Sequence, residues 1–412
     1  MANTTLTASI VAKAAVRILE NELVMGKLVY RGYEDEFEKK INGYEIGDTI
    51  TIRKPADFTV RDGAVLAAQD VTEGKTSLTI DQRKGVDFKF TSQELTLNIG
   101  ELSERVIRPA MIQLANAVDV DLMSLYKDVP NWVGTPGQTI DSFSDFSKGP
   151  ERLDEIAVPQ DSRNSVLSPS DHWALAGSQT ALFNNSINGQ AYRRGAIGMI
   201  GDVDTYMSQN VPTHVVGPLG GTPLVNGADQ DVTYASVKDT GVQTLVTDGW
   251  TAAAAARVNA GDVFTINGVY DVNPVTKAVL PFLKKFTVVN AASSDGSGNA
   301  TITIAPAIVA SGAFQNVSAA PADNAALTFM GTASTGYRQN MVFHKNAFAM
   351  VAVPLVSPPG AVDVGRQSYK GLNVRVIPVY DGVNDVSSWR LDILYGKKTI
   401  DRRLATRLSG TA

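Results

Sequence analysis

The spacing of apolar positions changes several times along the chain, and each change predicts a different kind of element. Between residues 6 and 24, Ile10, Val11, Ala14, Ala15, Ile18, Leu19 and Leu23 recur at intervals of three and four, which puts them on one face of a helix. Thr7 or Ser9 could cap it. Such a helix either packs on its own domain or forms a terminal arm that docks on a neighbour. From residue 33 to 97 the interval falls to two. A charge-dense stretch, Glu34 to Lys40, leads into Gly47-Asp48-Thr49-Ile50-Thr51-Ile52-Arg53-Lys54-Pro55, a turn followed by a strand that Phe58 and Val60 continue. Ser77 to Ile80 and Val86 to Phe90 alternate again, beyond a polar tip around Arg61-Asp62-Gly63 and Glu73-Gly74-Lys75. Two long strands around a polar loop predict an extended hairpin, whose open edges would aggregate unless a partner chain covered them.

Helical spacing returns over residues 99–128, where Leu102, Val106, Ala110, Leu114, Val118, Leu122 and Leu125 share a face. Pro109 interrupts it and predicts a break or kink near Arg108. Residues 131–150, rich in Gly, Pro, Ser and Thr, read as a loop. Ser165-Val166-Leu167-Ser168-Pro169-Ser170-Asp171 reads as strand, turn and helix start, with Ser170 or Asp171 as the cap. Asn184 to Gly201, with Arg193 and Arg194 in its centre, reads as a surface loop.

Residues 217–336 hold only five basic and eight acidic residues. Short β segments recur at 243–246, 263–266, 286–289 and 301–304, separated by turn signals such as Asn267-Gly268 and Ser294-Asp295-Gly296. This predicts a small β-barrel or sandwich, inserted into another domain. A dense apolar pattern follows from 340 to 356, then strand-like segments from Leu372 to Val379 and Ser388 to Tyr395. The tail sets Lys397, Lys398, Arg402, Arg403 and Arg407 against Asp401.

Composition narrows the function. The 412 residues carry a formal net charge of −5, which opposes a protein that coats nucleic acid over its whole surface. All twelve glutamates fall at or before Glu155, and residues 1–155 carry a net charge of −7 against +2 for the rest. Because glutamate favours helices over strands, helical acidic material is expected early and β structure late. There is no cysteine, which excludes thiolate chemistry and disulfides. The three histidines, His172, His214 and His344, are far apart in sequence. No apolar run reaches about 20 residues, and the first residues lack the pattern of a signal peptide, so synthesis in a cytoplasm is expected.

Catalytic signatures are absent: no phosphate-binding glycine loop, no His-Glu-x-x-His and no Gly-x-Ser-x-Gly. Asp119 and Asp121 on the long helix could form a carboxylate pair. Two residues apart they do not share a face, so a solvated or interface role is expected. His172 beside Trp173 and His344 in an apolar run read as packing and structural histidines. The basic tail reads either as a weak nucleic-acid contact or as a solvated edge.

Together these parts resemble the major capsid proteins of tailed bacteriophages, most closely the coat proteins of short-tailed Salmonella phages, which carry an inserted β-barrel. The resemblance is carried by Gly47 to Pro55, by Leu114-Ala115-Asn116-Ala117-Val118-Asp119, by Asn340-Met341-Val342-Phe343-His344-Lys345-Asn346-Ala347-Phe348, and in the insertion by Gly261-Asp262-Val263-Phe264. It implies an α+β tailed-phage capsid fold, shared with the herpesvirus capsid floor. The implied parts are an N-terminal arm (1–32), an extended hairpin loop (33–97), a peripheral domain with a spine helix (98–150 and 391–412), an axial domain (151–216 and 337–390) and an inserted barrel (217–336).

Functionally, the resemblance implies a non-enzymatic shell subunit without cofactor or metal. Its pentamers and hexamers would enclose double-stranded DNA in an icosahedral head, without sequence-specific binding or a membrane. A scaffolding protein and a portal are implied partners, the shell would expand on packaging, and the protein would reside in the virion. Candidate intersubunit contacts are Arg53, Lys54, Arg61, Asp62, Lys75, Arg193 and Arg194. Pro109 is a candidate hinge, and Leu114, Asn116, Asp119 and His344 are candidate structural residues. Two competing readings are a phage tail or adhesin-like binding protein, suggested by the Gly- and Thr-rich β segments, and a hydrolase with an unrecognised site.

Overall fold

The computed structural model describes residues 8–33, 49–60, 63–66, 68–91, 106–179, 197–358, 364–369 and 372–411. The charge-dense stretch 34–40, Arg61, Asp62, the helix start at 99–105, Arg193 and Arg194 lie outside the described residues.

Along the chain, α1 (Ala8–Glu22) and the single turn α2 (Met25–Leu28) precede β1 (Thr49–Arg53), β2 (Lys75–Thr79) and β3 (Gln82–Thr91). The long helix α3 (Arg108–Met123) ends in a 3-10 turn, Ser124–Asp128, and leads to β4 (Trp132–Val133), α4 (Phe143–Glu155), β5 (Arg163–Leu167) and α5 (Pro169–Gln179). Then come β6 (Met199–Ile200), β7 (Val203–Met207), β8 (Thr213–Val215), β9 (Gly221–Val225), the turn α6 (Tyr234–Val237), β10 (Gln243–Trp250), β11 (Ala255–Val258) and β12 (Val263–Val272). β13 (Val279–Val288), β14 (Ala292–Ser294), β15 (Ala300–Ala305), β16 (Leu327–Phe329), β17 (Gly336–Arg338) and β18 (Asn340–His344) follow. The last strands are β19 (Phe348–Val353), β20 (Gly365–Tyr369), β21 (Leu372–Asp381), β22 (Val386–Thr399) and β23 (Ala405–Leu408).

Two compact units result. The first comprises Met1–Ile50, Ser77–Met123 and Phe348–Lys398. Its sheet runs β19-β22-β21-β20, with β3 also paired to β22. Most of the predicted stripe on α1 is used inside this unit: Val11, Ala15, Leu19 and, just past the helix, Leu23 are buried together with Ala12 and Val16, whereas Ala14 and Ile18 are half-buried. The helix packs on α3, β20 and β21.

The strands at 49–91 depart from the expected hairpin. β1 and β2 pair with each other, but β3 does not extend a free hairpin: its ten residues align antiparallel with β22, from Gln82↔Tyr395 to Thr91↔Val386. Alternation identifies a strand but not its partner, which here lies some three hundred residues away. The solvated reading of Asp119 is also overturned. It is 1% exposed, and its carboxylate accepts from the Val24 amide at 2.7 Å and the Gly26 amide at 3.0 Å, the unpaired donors at the start of α2. Asp121 accepts from the Tyr395 hydroxyl at 2.7 Å and pairs with Lys397 at 2.9 Å. Pro109 is the second residue of α3, directly after a π-helical turn at Val106 and Ile107, so the change of helix type falls next to Arg108, where the break is expected.

The second unit comprises Thr51–Thr76, Ser124–Ala347 and Thr399–Ala412. One sheet runs β4-β23-β18-β5-β7-β6. Helix α4 packs on β23 and occupies a stretch that its Gly, Ser and Pro content made look like loop. Ser142 caps it by accepting from the Asp145 amide, and Phe146 and Leu153 supply its buried stripe. At the start of α5 the cap is Ser168, not Ser170 or Asp171. Its Oγ accepts from the Asp171 amide, and Pro169 stands at the first helical position.

The insertion forms a six-stranded sheet, β16-β12-β13-β15-β10-β9. Its edges meet: Leu224 bridges Ala326, and Val225 exchanges backbone hydrogen bonds with Asn324 and Ala325. The sheet is therefore closed into a barrel around Leu245, Phe264, Ile266, Phe286, Val288, Ile302 and Ile304. Asn267-Gly268 is not a turn. β12 continues through it with a shift of register against β13, and Gly268 takes φ +82°, as a bulge requires.

Arg407 on β23 is the centre of this unit. It has no exposed surface, donates to the carbonyl of Gly261 at 2.8 Å and of Lys127 at 3.4 Å, and lies over the rings of Tyr126 and Trp132. Burial pulls its pKa down to about 10, which leaves it charged at neutral pH. Beside it, His214 joins the Asp262 carboxylate at 2.8 Å to the Tyr126 hydroxyl at 3.0 Å. The tail is thus neither a solvated edge nor a free basic patch. Arg402 faces Asp128, and Arg403 pairs with Asp401 at 2.8 Å.

Two outcomes are expected. Arg407→Ala empties a fully buried site and removes the donor to the Gly261 carbonyl, while the Lys127 carbonyl keeps the Thr287 hydroxyl at 2.8 Å; stability in urea unfolding should fall by about 3 kcal/mol. Asp119 is pushed up to about 6 by burial, which outweighs the stabilising amides of Val24 and Gly26. A carboxyl raised in the folded state adds stability that is complete below its unfolded pKa and lost as pH rises through about 6. The difference in stability between wild type and Asp119→Asn should therefore shift by up to about 3 kcal/mol between pH 4 and pH 7, in favour of wild type at the acid end.

Candidate assembly surface

Residues 54–74 leave β1 and return to β2 as a loop in the second unit. Its base is tied down. The Lys54 amide donates to the Gly74 carbonyl at 2.8 Å, and the Lys54 ammonium reaches the Lys238 carbonyl at 3.3 Å. Burial lowers the Lys54 pKa. The Lys75 amide donates to Asp239 at 2.9 Å. Gly74 sits so close to this support that a Cβ would stand 2.4 Å from the Lys238 carbonyl oxygen. Arg53 and Glu73 face each other at 3.5 Å, and Asp57 lies 3.9 Å from Arg403.

Above the base no sheet continues. The side chain of Gln69 bridges the loop instead. Its Oε1 accepts from the Thr59 amide at 2.9 Å, and its Nε2 donates to the Thr59 carbonyl at 2.6 Å. One side chain thereby copies a strand pair and holds the loop's width. Beyond it, Val60 is 96% exposed, Val65 84% and Leu66 83%; on the side of the base, Phe58 and Val71 are more than half exposed. Apolar side chains concentrated on a supported, projecting loop are the mark of a surface built for another protein. Burying each would contribute about 1.5–3 kcal/mol.

The structure thus brings Arg53, Lys54 and Lys75 together at the loop's base. Arg61, Asp62, Arg193 and Arg194 lie outside the described residues. Leu114 and Asp119 are buried on α3 and Asn116 half-buried. His344 is buried on β18; its Nδ1 accepts from the Asn346 amide at 3.2 Å. The polar character expected of the tip is incomplete. The alternation predicts that Val60 continues the strand, but β1 ends at Arg53; Val65 and Leu66 follow no period and so escape a search for periodicity, although apolar residues inside a loop are themselves a signal.

Among the described residues no group of three or more acids or histidines could hold a metal. A cavity of about 200 Å³ is lined by Val133, Gly134, Lys148, Glu151, Arg152, Glu155 and Lys285. Its acids do not form a free pair, because Glu155 is held by Arg152 at 3.2 Å. Lys285, lowered to about 7 by burial and by Arg152, donates to the Trp132 carbonyl. This is a charged joint between α4 and the barrel strand β13, with no nucleophile and base in register.

Comparison with known proteins supplies the wider context. The model of a family described as P22 coat protein, gene protein 5, matches residues 1–405. A major capsid protein of Acyrthosiphon pisum secondary endosymbiont phage 1 is 21% identical over 369 residues, covering 84% of this chain and 85% of its own. A solved chain of Mycobacterium phage Che8 aligns with a TM-score of 0.50 at 15% identity, covering 93% of this chain and 90% of that one. The coat protein I-domain of CUS-3 is 26% identical over 28% of this chain and all of its own, with a TM-score of 0.20.

Proposed function

The chain belongs to the P22 coat protein family and is a phage major capsid protein of the virion, and we propose that its copies assemble as pentamers and hexamers into an icosahedral head around double-stranded DNA. The loop of residues 54–74 carries this reading. It is braced at its base and clasped by Gln69, and it exposes apolar side chains that only another subunit would cover. Repeated modest contacts of this kind add up through closed symmetry. The net charge of −5 suits a container that must not hold its DNA too tightly.

The division into arm (1–32), hairpin loop (33–97), peripheral domain (98–150 and 391–412), axial domain (151–216 and 337–390) and inserted barrel (217–336) belongs to the same proposal. So do a scaffolding protein, a portal, expansion of the shell and a structural, non-catalytic role. The tail or adhesin alternative expects an almost wholly β chain, and α1, α3, α4 and α5 weigh against it.

Replacing Val65 and Leu66 together by Asp should leave the subunit's thermal unfolding within about 0.5 kcal/mol of wild type, since both are exposed. Shell formation, read by sedimentation velocity and electron micrographs after coexpression with the scaffold, should be lost. Normal shells from that variant would remove the loop from the interface. If Pro109 is the hinge of expansion, Pro109→Ala shells should assemble but expand abnormally; normal expansion in that variant rejects the hinge.

A further inference from the structure

One carboxylate in the first unit holds three guanidinium groups. Asp392, 2% exposed at its side chain, accepts from Arg375 at 2.7 Å, Arg83 at 2.9 Å and Arg390 at 2.9 Å. Burial alone would raise its pKa, but hydrogen bonds from Arg375, Arg390 and Arg83 hold it below the ordinary carboxylate range. The cluster sits on one face of the sheet, since Arg366, Arg375, Asp392 and Gly85 are register partners across β20, β21, β22 and β3. Helix α3 covers the opposite face, where Tyr395 meets Asp121. Gly85 leaves room for the carboxylate: a Cβ there would stand 2.7 Å from Asp392 Oδ1.

Charge is left over. Within two register positions of Asp392, among the described residues of this sheet, Arg83, Arg366, Arg375 and Arg390 stand against two acids, Asp87 and Asp392. Arg375 is 92% buried, yet its Nε has no hydrogen-bond acceptor among the described residues. Arg83 and Arg390 are about half exposed and spend one edge of each fork on Asp392.

We propose that Arg83 and Arg390 receive a carboxylate side chain from a second copy of this chain, so that the cluster is completed only between subunits. The inference rests on the assembly reading above. A carboxylate fits better than the phosphates of DNA for two reasons. The cations converge on one point, as a bidentate acid needs, instead of forming the stripe that tracks a nucleic-acid backbone. The partner is also rich in acids, with a net charge of −7 over residues 1–155.

The test uses the full chain coexpressed with its scaffold. Arg390→Lys supplies an amine that a carbodiimide couples to a touching carboxylate with loss of water. Shells are grown from mixed light and ¹⁵N-labelled subunits. The expected result is a cross-linked peptide of mixed label joining position 390 to an acid of the other copy, present in shells and absent from dissociated subunits. In parallel, Arg83→Gln with Arg390→Gln, which keeps the Arg375–Asp392 pair for folding, should put about tenfold less protein into shells. Cross-links confined to Asp87 and Asp392 of the same copy, with unchanged shell yield, overturn the inference but leave the coat reading standing. A double variant that forms empty shells normally but loses only DNA-filled ones assigns the site to phosphate and overturns it as well. If wild type with scaffold forms no shells at all, the assembly reading falls, and this inference with it.

Discussion

The buried guanidinium of Arg407 is the interaction on which the larger unit depends. A charge removed from water is tolerated only where fixed dipoles and polarisable faces replace its hydration. Here the Gly261 and Lys127 carbonyls accept its protons, and the Tyr126 and Trp132 rings lie beneath its plane. Those partners come from the turn after the long helix, from β4 and from the turn that opens the barrel strand β12, while Arg407 itself comes from the last strand. This contact ties the four segments together, because pulling any of them away would remove part of what replaces the lost hydration. The His214–Asp262–Tyr126 chain adds a second set of directional bonds at the same joint. An inserted barrel that might have hung on flexible linkers is instead keyed into the body that carries it.

The loop proposed for assembly rests on this same unit. A loop that offers apolar side chains to a partner must keep them apart from its own core, and it must lose little entropy on binding. Both conditions need a rigid base. The base is supplied by Lys238 and Asp239, beside the short helix α6 of the barrel, and by Arg403 of the tail. The Gln69 clasp then extends order outward without adding a strand edge that would aggregate. In the smaller unit the same economy appears around Asp119, whose carboxylate replaces the missing helical acceptors at the turn between α1 and α2.

Much of this is legible in the residues. The stripe on α1, the strand at Thr49–Arg53, the apolar face of α3 and the low-charge β segments of residues 217–336 each follow from local periodicity and composition; the last predict a small barrel or sandwich, of which the structure forms the barrel. Where the residues mislead, the reasons are identifiable. Gly149-Pro150 hides α4, whose existence depends on the Ser142 cap and on burial of Phe146 and Leu153. Asn267-Gly268 has the chemistry of a turn, but the pairing of β12 with β13 and β16 overrides it and makes a bulge.

Sequence by itself determined the periodic helices and strands, the low charge of residues 217–336, the absence of cysteine and, through the motifs at 47–55, 114–119, 261–264 and 340–348, the capsid family. Those properties are local or compositional, so they survive without knowledge of who touches whom. Only the tertiary structure decided that β3 pairs with β22, that Asp119 and Arg407 are buried, that Asp392 gathers three arginines, and that Val60, Val65 and Leu66 stand exposed on a loop braced at its base. Most of these depend on contacts between residues roughly a hundred to three hundred positions apart, or on solvent exclusion by distant segments. The spacing of apolar residues along the chain carries no record of either.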